Sequence, residues 1–503
     1  MAYLYASLPI LFVLVLMLVL RRGSHEAGFI GWLAGIGIAF LFFGLNWQVF
    51  WVSQVKSLFL AMNVLAVLWP ALLLYHLVDK AGGVHAIAYS LQEMIPEPGW
   101  LLLVMAWMLS ALVENLAGFG LPIAIIAPML ILLGVAPVRA VAASAIGHSW
   151  AVSLGSMGLA FRTMTDITGM SETEVFPFAA LLLGVTVFLT GLASAFVLKQ
   201  QQYLKRILFL SLIVAGVQYL IGISGVIPLS SFTASLIGIG AGFLLSKRTP
   251  GQKVRVTVTP QLRAGLVSYG ILFIIVVIIS LIKPLNQLLA QVQLTAFFQQ
   301  VATNTNLVTA AGNGFIFKPF THAGVWILFS AIVSLFLIPL ITGSGTVHLK
   351  ETLRDTWRSA LPASLGTLFM IGLSSLMEHT GMTMKIAQGL SLAFSGAYPL
   401  VSPLVGALGA FATGSNTNSN ILFGPMQKDV AELLALSPVI LLAAQTTGGA
   451  LGSMIAPAKL AVGSSTNPMK GREGEVLRLT LPISLGCTVV IGLIALILIR
   501  LIH

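Results

Sequence analysis

The chain has 503 residues, of which 57% are hydrophobic and only 8% charged, with a formal net charge of +11. Soluble domains carry about 25% charged residues, so this composition excludes a soluble enzyme or binding module and implies a polytopic membrane protein. The positive balance is no nucleic-acid footprint, because Lys and Arg fall in short clusters between apolar runs, as cytoplasmic loops of membrane proteins do.

A membrane-crossing helix needs about 20 apolar residues. In chain order such runs are expected near 4–20, 28–45, 58–78, 139–160, 177–198, 207–223, 227–245, 264–282, 323–341, 359–377, 437–457 and 479–501. The first is followed, not preceded, by Arg21 and Arg22, so it reads as a retained span rather than a cleaved signal. Two further stretches, 99–134 and 398–435, are interrupted in the middle, and their halves are short for a full crossing. Each is expected to be a re-entrant helical hairpin, with paired full spans left open. Segments 82–96 and 382–397 are less apolar and read as amphipathic interfacial helices. The expected fold is all-α and polytopic, with about twelve transmembrane helices plus two re-entrant hairpins. The single cysteine, Cys487, lies in an apolar run and can form neither an intrachain disulfide nor a cysteine cluster for metal.

Alternation places Arg21 and Arg22, Lys80, Lys199 to Arg206, Lys247 to Arg263, Lys350 to Arg358 and Lys470 to Arg478 on one side, the cytoplasmic one. Lys56, Lys283, Lys318, Lys385 and Arg500 fall on the other. Both termini are therefore expected outside. The longest external segment, 283–322, reads as a loop with a short helix near 285–300.

The two halves echo each other at an offset near 300 residues. Asp79-Lys80-Ala81-Gly82-Gly83 answers to Glu378-His379-Thr380-Gly381-Met382, and Leu133-Gly134-Val135-Ala136-Pro137 to Leu434-Ala435-Leu436-Ser437-Pro438. Leu-Gly-Ser-Met occurs at 154–157 and again at 451–454. Asp79 and Glu378 fall on opposite sides of the membrane, so the repeats are inverted, an architecture of secondary transporters. The expected organisation is N-terminal spans over 1–57 and a first repeat over 58–198, with hairpin 99–134 and broken span 139–160. Connecting and scaffold spans follow over 199–357. The second repeat covers 358–503, with hairpin 398–435 and broken span 437–457.

The hairpin tips carry the candidate chemistry. Thr413-Gly414-Ser415-Asn416-Thr417-Asn418-Ser419-Asn420 is a polar octet set between apolar runs, and backbone interrupted at membrane depth survives only where it lines a cavity or is buried in protein. Its counterpart runs from Glu114 through Gly118, Phe119 and Gly120. Helix N-termini there offer unpaired N–H groups to a carboxylate. Thr446, Thr447 and Gly448, in the second broken span, complete the predicted substrate set. Gly448 reads equally well as a helix-packing glycine. Glu114 is the only acidic residue of the first hairpin and the candidate for proton coupling, with a structural cap as the bland reading. His148 is either a second proton group or a packing histidine. Arg162 and Lys459 can attract an anion or snorkel to an interface. No metal or other cofactor is implied, and the motifs of zinc proteases, serine hydrolases and P-loop enzymes are absent.

The run from Glu114 to Ala124 resembles the Glu-Gly-Ala-Ala-Gly-Phe-Gly-x-Pro-Val-Ala segment of the L-lactate permease family. VSLGSMG at 152–158, GALGAFATGSNTNSNILFG at 406–424 and AAQTTGGALGSMIAP at 443–457 are similar to further segments of that family, in the same order. Asn115 stands where the family has Gly, and Gly147-His148-Ser149 where an Asn-Thr pair is expected. The resemblance implies import of lactate, glycolate and similar 2-hydroxymonocarboxylates with protons across the bacterial inner membrane, with elevator-type motion. It admits a homodimer and gives no place to nucleic acid. Sodium coupling is the nearest alternative and an anion channel a more distant one.

Overall fold

The computed structural model describes residues 2–20, 22–116, 118, 120–247, 257–343, 349–457, 459–460 and 472–502. Arg21, Phe119 and Lys470, singled out above, lie outside the described residues.

The chain opens with α1 (Ala2–Leu18) and α2 (Ser24–Phe42), which pack against each other. The first repeat follows as α3 (Trp47–Lys80), α4 (Gly83–Met94), α5 (Pro98–Val104), a π-helical turn over Met105–Leu109, α6 (Ser110–Leu116), α7 (Leu121–Leu132), α8 (Pro137–His148), α9 (Gly155–Thr168) and α10 (Glu172–Leu198). Then come α11 (Leu204–Ile223), α12 (Ser230–Leu245), α13 (Pro260–Leu281) and α14 (Lys283–Ala290). A ribbon of β1 (Leu294–Phe298), β2 (Val301–Ala302), β3 (Val308–Thr309) and β4 (Gly312–Phe317) leads to α15 (Ala323–Thr342). The second repeat comprises α16 (Leu349–His379), α17 (Met382–Phe394), α18 (Tyr398–Thr413), α19 (Asn416–Leu433), α20 (Pro438–Gly452) and α21 (Glu473–Ile502).

Among the described residues twelve helices are long and apolar enough to cross a membrane, so this is a multi-pass membrane protein. Their number matches the sequence reading; their membership differs. Pro98–Leu116 qualifies because the π turn joins α5 to α6 without a gap, and Met382–Thr413 because α17 runs on into α18. The 139–160 run does not qualify, since α8 stops at His148 and the next turns are 3-10 and irregular. The first helix, at 17 residues, falls just short of the length.

Two long helices, α3 and α16, lie against each other. Lys80, at the C-terminal end of α3, pairs with Glu351 (3.5 Å) and Asp355 (2.8 Å) in the first turns of α16. At the opposite end Lys56 Nζ lies 3.2 Å from His379 Nε2, the last residue of α16. α3 and α16 are therefore antiparallel. Each is followed by a left-handed glycine, Gly82 (φ 73°) and Gly381 (φ 75°), which turns the chain into the short amphipathic helix predicted at that place.

Each interrupted stretch is two helices joined by a short break, α6 to α7 and α18 to α19, with Pro98–Leu116 and Met382–Thr413 long enough to cross and α7 not. Twelve residues of α7 span roughly 18 Å at the ~1.5 Å rise of an α-helix, well short of the ~30 Å hydrocarbon thickness. In each repeat the first arm crosses the following helix backbone to backbone. A β-carbon on Gly147 of α8 would fall on the carbonyl oxygen of Ala106, and one on Gly448 of α20 on that of Pro403. That is why Gly448 sits in its motif: it is the crossing point of two helices.

The ribbon departs from the loop expected over 283–322, although a short helix does form at its start. β1 pairs antiparallel with β4, and β2 with β3. Asn46 Nδ2 donates to the carbonyl of Ala302 (2.7 Å), fastening the ribbon to the start of α3.

Replacing Gly147 with Val should destabilise the protein by about 1–3 kcal/mol or more, the range for overpacking a filled core. A lower midpoint of thermal aggregation in detergent is expected, and an unchanged midpoint would show that the two helices can separate there.

Candidate functional site

The second hairpin turns at Gly414, whose φ of 71° admits glycine and strains other residues. Ser415 then caps α19, its Oγ accepting from the N–H of Asn418 (3.3 Å). The N–H groups of Asn416 and Thr417, first in the helix, have no carbonyl one turn earlier to bond. Thr413 Oγ1 donates back to Gly409 O (2.8 Å) on its own helix and accepts from the N–H of Ser415 (3.3 Å) across the turn. The first hairpin turns at Gly118 (φ 63°) and Gly120 (φ 84°), the latter preceding α7. Beyond α8 the chain passes through left-handed residues Ser156, Met157 and Gly158 before α9 becomes regular.

These pieces meet. A cleft enclosing about 420 Å³, its open mouth included, is lined by Glu114 and Gly118, by Val152, Gly155, Ser156, Leu159 and Ala160, by Gly414 to Thr417, and by Lys459. Both tips, the break before α9 and the segment after α20 share one volume, as the sequence predicts for four converging helix ends. Glu114 and Lys459 are both buried, 4% and 6% exposed, with Lys459 Nζ 3.7 Å from Glu114 Oε1. Lys459 also donates to Ser453 Oγ, while Glu114 Oε2 has no hydrogen-bond partner among the described residues. The pair joins distant parts of the chain, because the acid comes from α6 and the base from the segment after α20. Snorkelling is not what Lys459 does here.

Behind the cleft lies a buried polar knot. Asn416 Nδ2 donates to Ser153 Oγ (3.0 Å) and to the carbonyl of Thr446 (3.2 Å). Ser153 Oγ donates to that same carbonyl (2.8 Å). Asn420 Nδ2 donates to Thr446 Oγ1 (2.9 Å) and to the carbonyl of Ala160 (3.0 Å).

The predicted residues separate accordingly. Glu114, Gly118, Gly414, Ser415, Asn416, Thr417 and Lys459 line the cleft, and Gly120 lies against the Lys459 side chain. Thr446 and Asn420 belong to the knot. Asn418 accepts from Thr367 Oγ1 (3.4 Å), and Ser419 donates to Gly406 O (2.8 Å) inside its own hairpin. Thr447 bonds back to Ala443 O (2.7 Å). His148 is buried outside the cleft lining, with Nδ1 2.8 Å from Ser144 O and Nε2 unpartnered among the described residues. Arg162 lines a separate outer chamber, and its Nε donates to Glu172 (3.1 Å). Phe119 is outside the described residues. Ser153, Ser156, Leu159 and Ala160 were not singled out as site residues, although Ser156 lies within the repeated Leu-Gly-Ser-Met and Ser153 just before it.

A family model described as L-lactate permease matches residues 2–502. The glycolate permease of Escherichia coli (strain K12) is 28% identical over 540 residues, covering 98% of this chain and 95% of its own. The L-lactate permease of the same strain is 27% identical, covering 98% and 94%. That of Bacillus subtilis (strain 168) is 25% identical, covering 95% and 92%. Among solved structures, the YdaH transporter of Alcanivorax borkumensis aligns over 90% of this chain and 88% of its own, with 15% identity and a TM-score of 0.48.

The charge pair generates a stability prediction. Lys459→Met leaves Glu114 without its partner and should lower the thermal midpoint in detergent; adding Glu114→Gln should recover part of the loss. A coupling of about 0.5–3 kcal/mol is expected for contacting groups, and strictly additive effects would mean that the pair does not interact.

Proposed function

The chain belongs to the L-lactate permease family, and from that premise and the cleft we propose a secondary transporter that imports small 2-hydroxymonocarboxylates of the lactate and glycolate kind by proton symport. The observation that carries this reading is the buried Glu114–Lys459 pair at the meeting of the two tips. Empty, the cleft holds one acid and one base and is balanced. A substrate carboxylate seated on the N–H groups of Asn416 and Thr417 and on Lys459 brings a second negative charge. Two carboxylates about 4 Å apart repel by roughly 4 kcal/mol at an effective dielectric near 20, so the anion enters together with a proton on Glu114. Deprotonation and substrate release are then linked, and one proton accompanies each monocarboxylate.

In this reading the two hairpins and broken helices form the moving transport core, while α11 to α15 with α3 and α16 form the scaffold. The core carries the cleft, with Leu159 on its wall, in an elevator-type cycle. The setting is a bacterial inner membrane with both termini external. His148, off the cleft wall, is given a packing role.

Sodium coupling is the second reading, favoured by one observation. Asn416 Oδ1 and Asn420 Oδ1 are buried acceptors without a hydrogen-bond partner among the described residues, and oxygen ligands of this kind suit a hard cation. Uptake into proteoliposomes separates the two. Lactate should accumulate under an inwardly directed proton gradient without sodium; accumulation that follows only a sodium gradient overturns the proton reading.

Glu114→Gln is expected to abolish uphill uptake under a pH gradient while preserving lactate counterflow exchange. Retained uphill uptake would make Glu114 structural. Ser415→Ala combined with Asn416→Ala should raise the half-saturating lactate concentration at least tenfold, a loss of about 1.4 kcal/mol in binding. An unchanged value would place the carboxylate elsewhere.

A further inference from the structure

Two chambers stand in front of the cleft, enclosing about 990 and 920 Å³ with their open mouths included. Arg162, Lys318 and Thr321 line both. Leu159, one turn before Arg162 on α9, lines both the first chamber and the cleft. The first chamber has acidic walls at Asp166 and Glu172. In the second the charged lining residues are Arg162, Lys283 and Lys318, with no acid among them; Gln287 also lines it, as does Asn286, whose Nδ2 donates to Ile279 O (3.3 Å).

The cations are free to take a ligand. Arg162 uses Nε on Glu172, and neither terminal amino group of its guanidinium has a partner among the described residues. Lys283 and Lys318 are exposed, and their ammonium groups have no acidic partner there either. His322 adds no fourth charge at neutral pH, because burial, reinforced by the neighbouring Arg162, holds it down to about 4. Charge is thus concentrated on α14, the end of the β-ribbon and α9, in a chamber that shares Arg162, Lys318 and Thr321 with the one bordering the cleft at Leu159.

We propose that this second chamber is an antechamber for small carboxylates, an anion seat formed by Arg162, Lys283 and Lys318 that fills before the cleft does. Only the identity of the anion rests on the carboxylate-transport reading. A cavity walled by one sign of charge concentrates the opposite ion and speeds its capture by tenfold or more at low salt. The effect fades as the screening length shrinks to about 8 Å at physiological ionic strength and about 3 Å at 1 M. The β-ribbon has a use in this arrangement, since it delivers Lys318 to the chamber while fastened to α3 through Asn46.

A test that needs no transport uses Thr321→Cys in a Cys487→Ala background, purified in neutral detergent. Labelling rates are measured with an anionic thiol reagent, sulfonatoethyl methanethiosulfonate, and with its cationic trimethylammonium counterpart. Relative to a free thiol, the anionic reagent should be favoured roughly tenfold at low salt. High salt or the exposed-site pair Lys283→Gln and Lys318→Gln should cut that preference at least threefold, and lactate should slow the labelling. A preference indifferent to both lysines overturns the proposal, as does the absence of lactate protection. Protection by added phosphatidylglycerol but not by lactate reassigns the seat to a lipid headgroup and also overturns it. In proteoliposomes at low salt, the same lysine pair should raise the half-saturating lactate concentration about threefold to tenfold with the maximal rate unchanged. If the unaltered protein fails to take up lactate, the transport reading falls while the labelling ratio still decides this one.

Discussion

Interrupting a helix inside a membrane exposes peptide groups that hydrocarbon cannot satisfy, and the way this chain meets that demand organises everything else. The knot of Ser153, Asn416, Asn420 and Thr446 binds the irregular backbone around one repeat's break to the polar tip of the other repeat's hairpin. Neither hairpin nor broken helix is complete alone. Because the knot takes up the Asn416 and Asn420 amides of the second tip, the cleft is left with Gly, Ser and Thr, the apolar Val152, Leu159 and Ala160, Asn416 and one charge pair.

The same reciprocity holds for charge. Glu114 lies near one tip and Lys459 beyond α20, far along the chain, so burial of each depends on the fold bringing the two together. A buried ion pair is poor evidence of stability, since desolvation offsets much of the attraction. Its value here is chemical. It sets one buried acid beside one buried base on the wall of a single cleft.

Much of this was legible in the sequence because breaks have a narrow chemistry. Gly82 and Gly381, the repeated Leu-Gly-Ser-Met and the polar octet at 413–420 mark turns and ends that apolar residues cannot make, and each lies where the echo placed it. What stayed hidden depended on helix phase. Thr446 and Thr447 are adjacent and alike, yet one turns into the knot and the other back onto its own helix. Lys459 could equally have reached for an interface. The β-ribbon was missed because its strands are short and their pairing is non-local: Leu294 meets Phe317 across an intervening second pair. Alternating residues in a segment expected to be external gave no reason to prefer a ribbon over a loop.

The crossings at Gly147 and Gly448 bear on motion. With a carbonyl lodged where a side chain would stand, α8 cannot slide along the first hairpin, nor α20 along the second. Each hairpin is keyed to its neighbour like a mortise to its tenon. Any displacement of either hairpin therefore takes its partner helix with it, and flexing belongs in the stretches that join each pair to the surrounding helices.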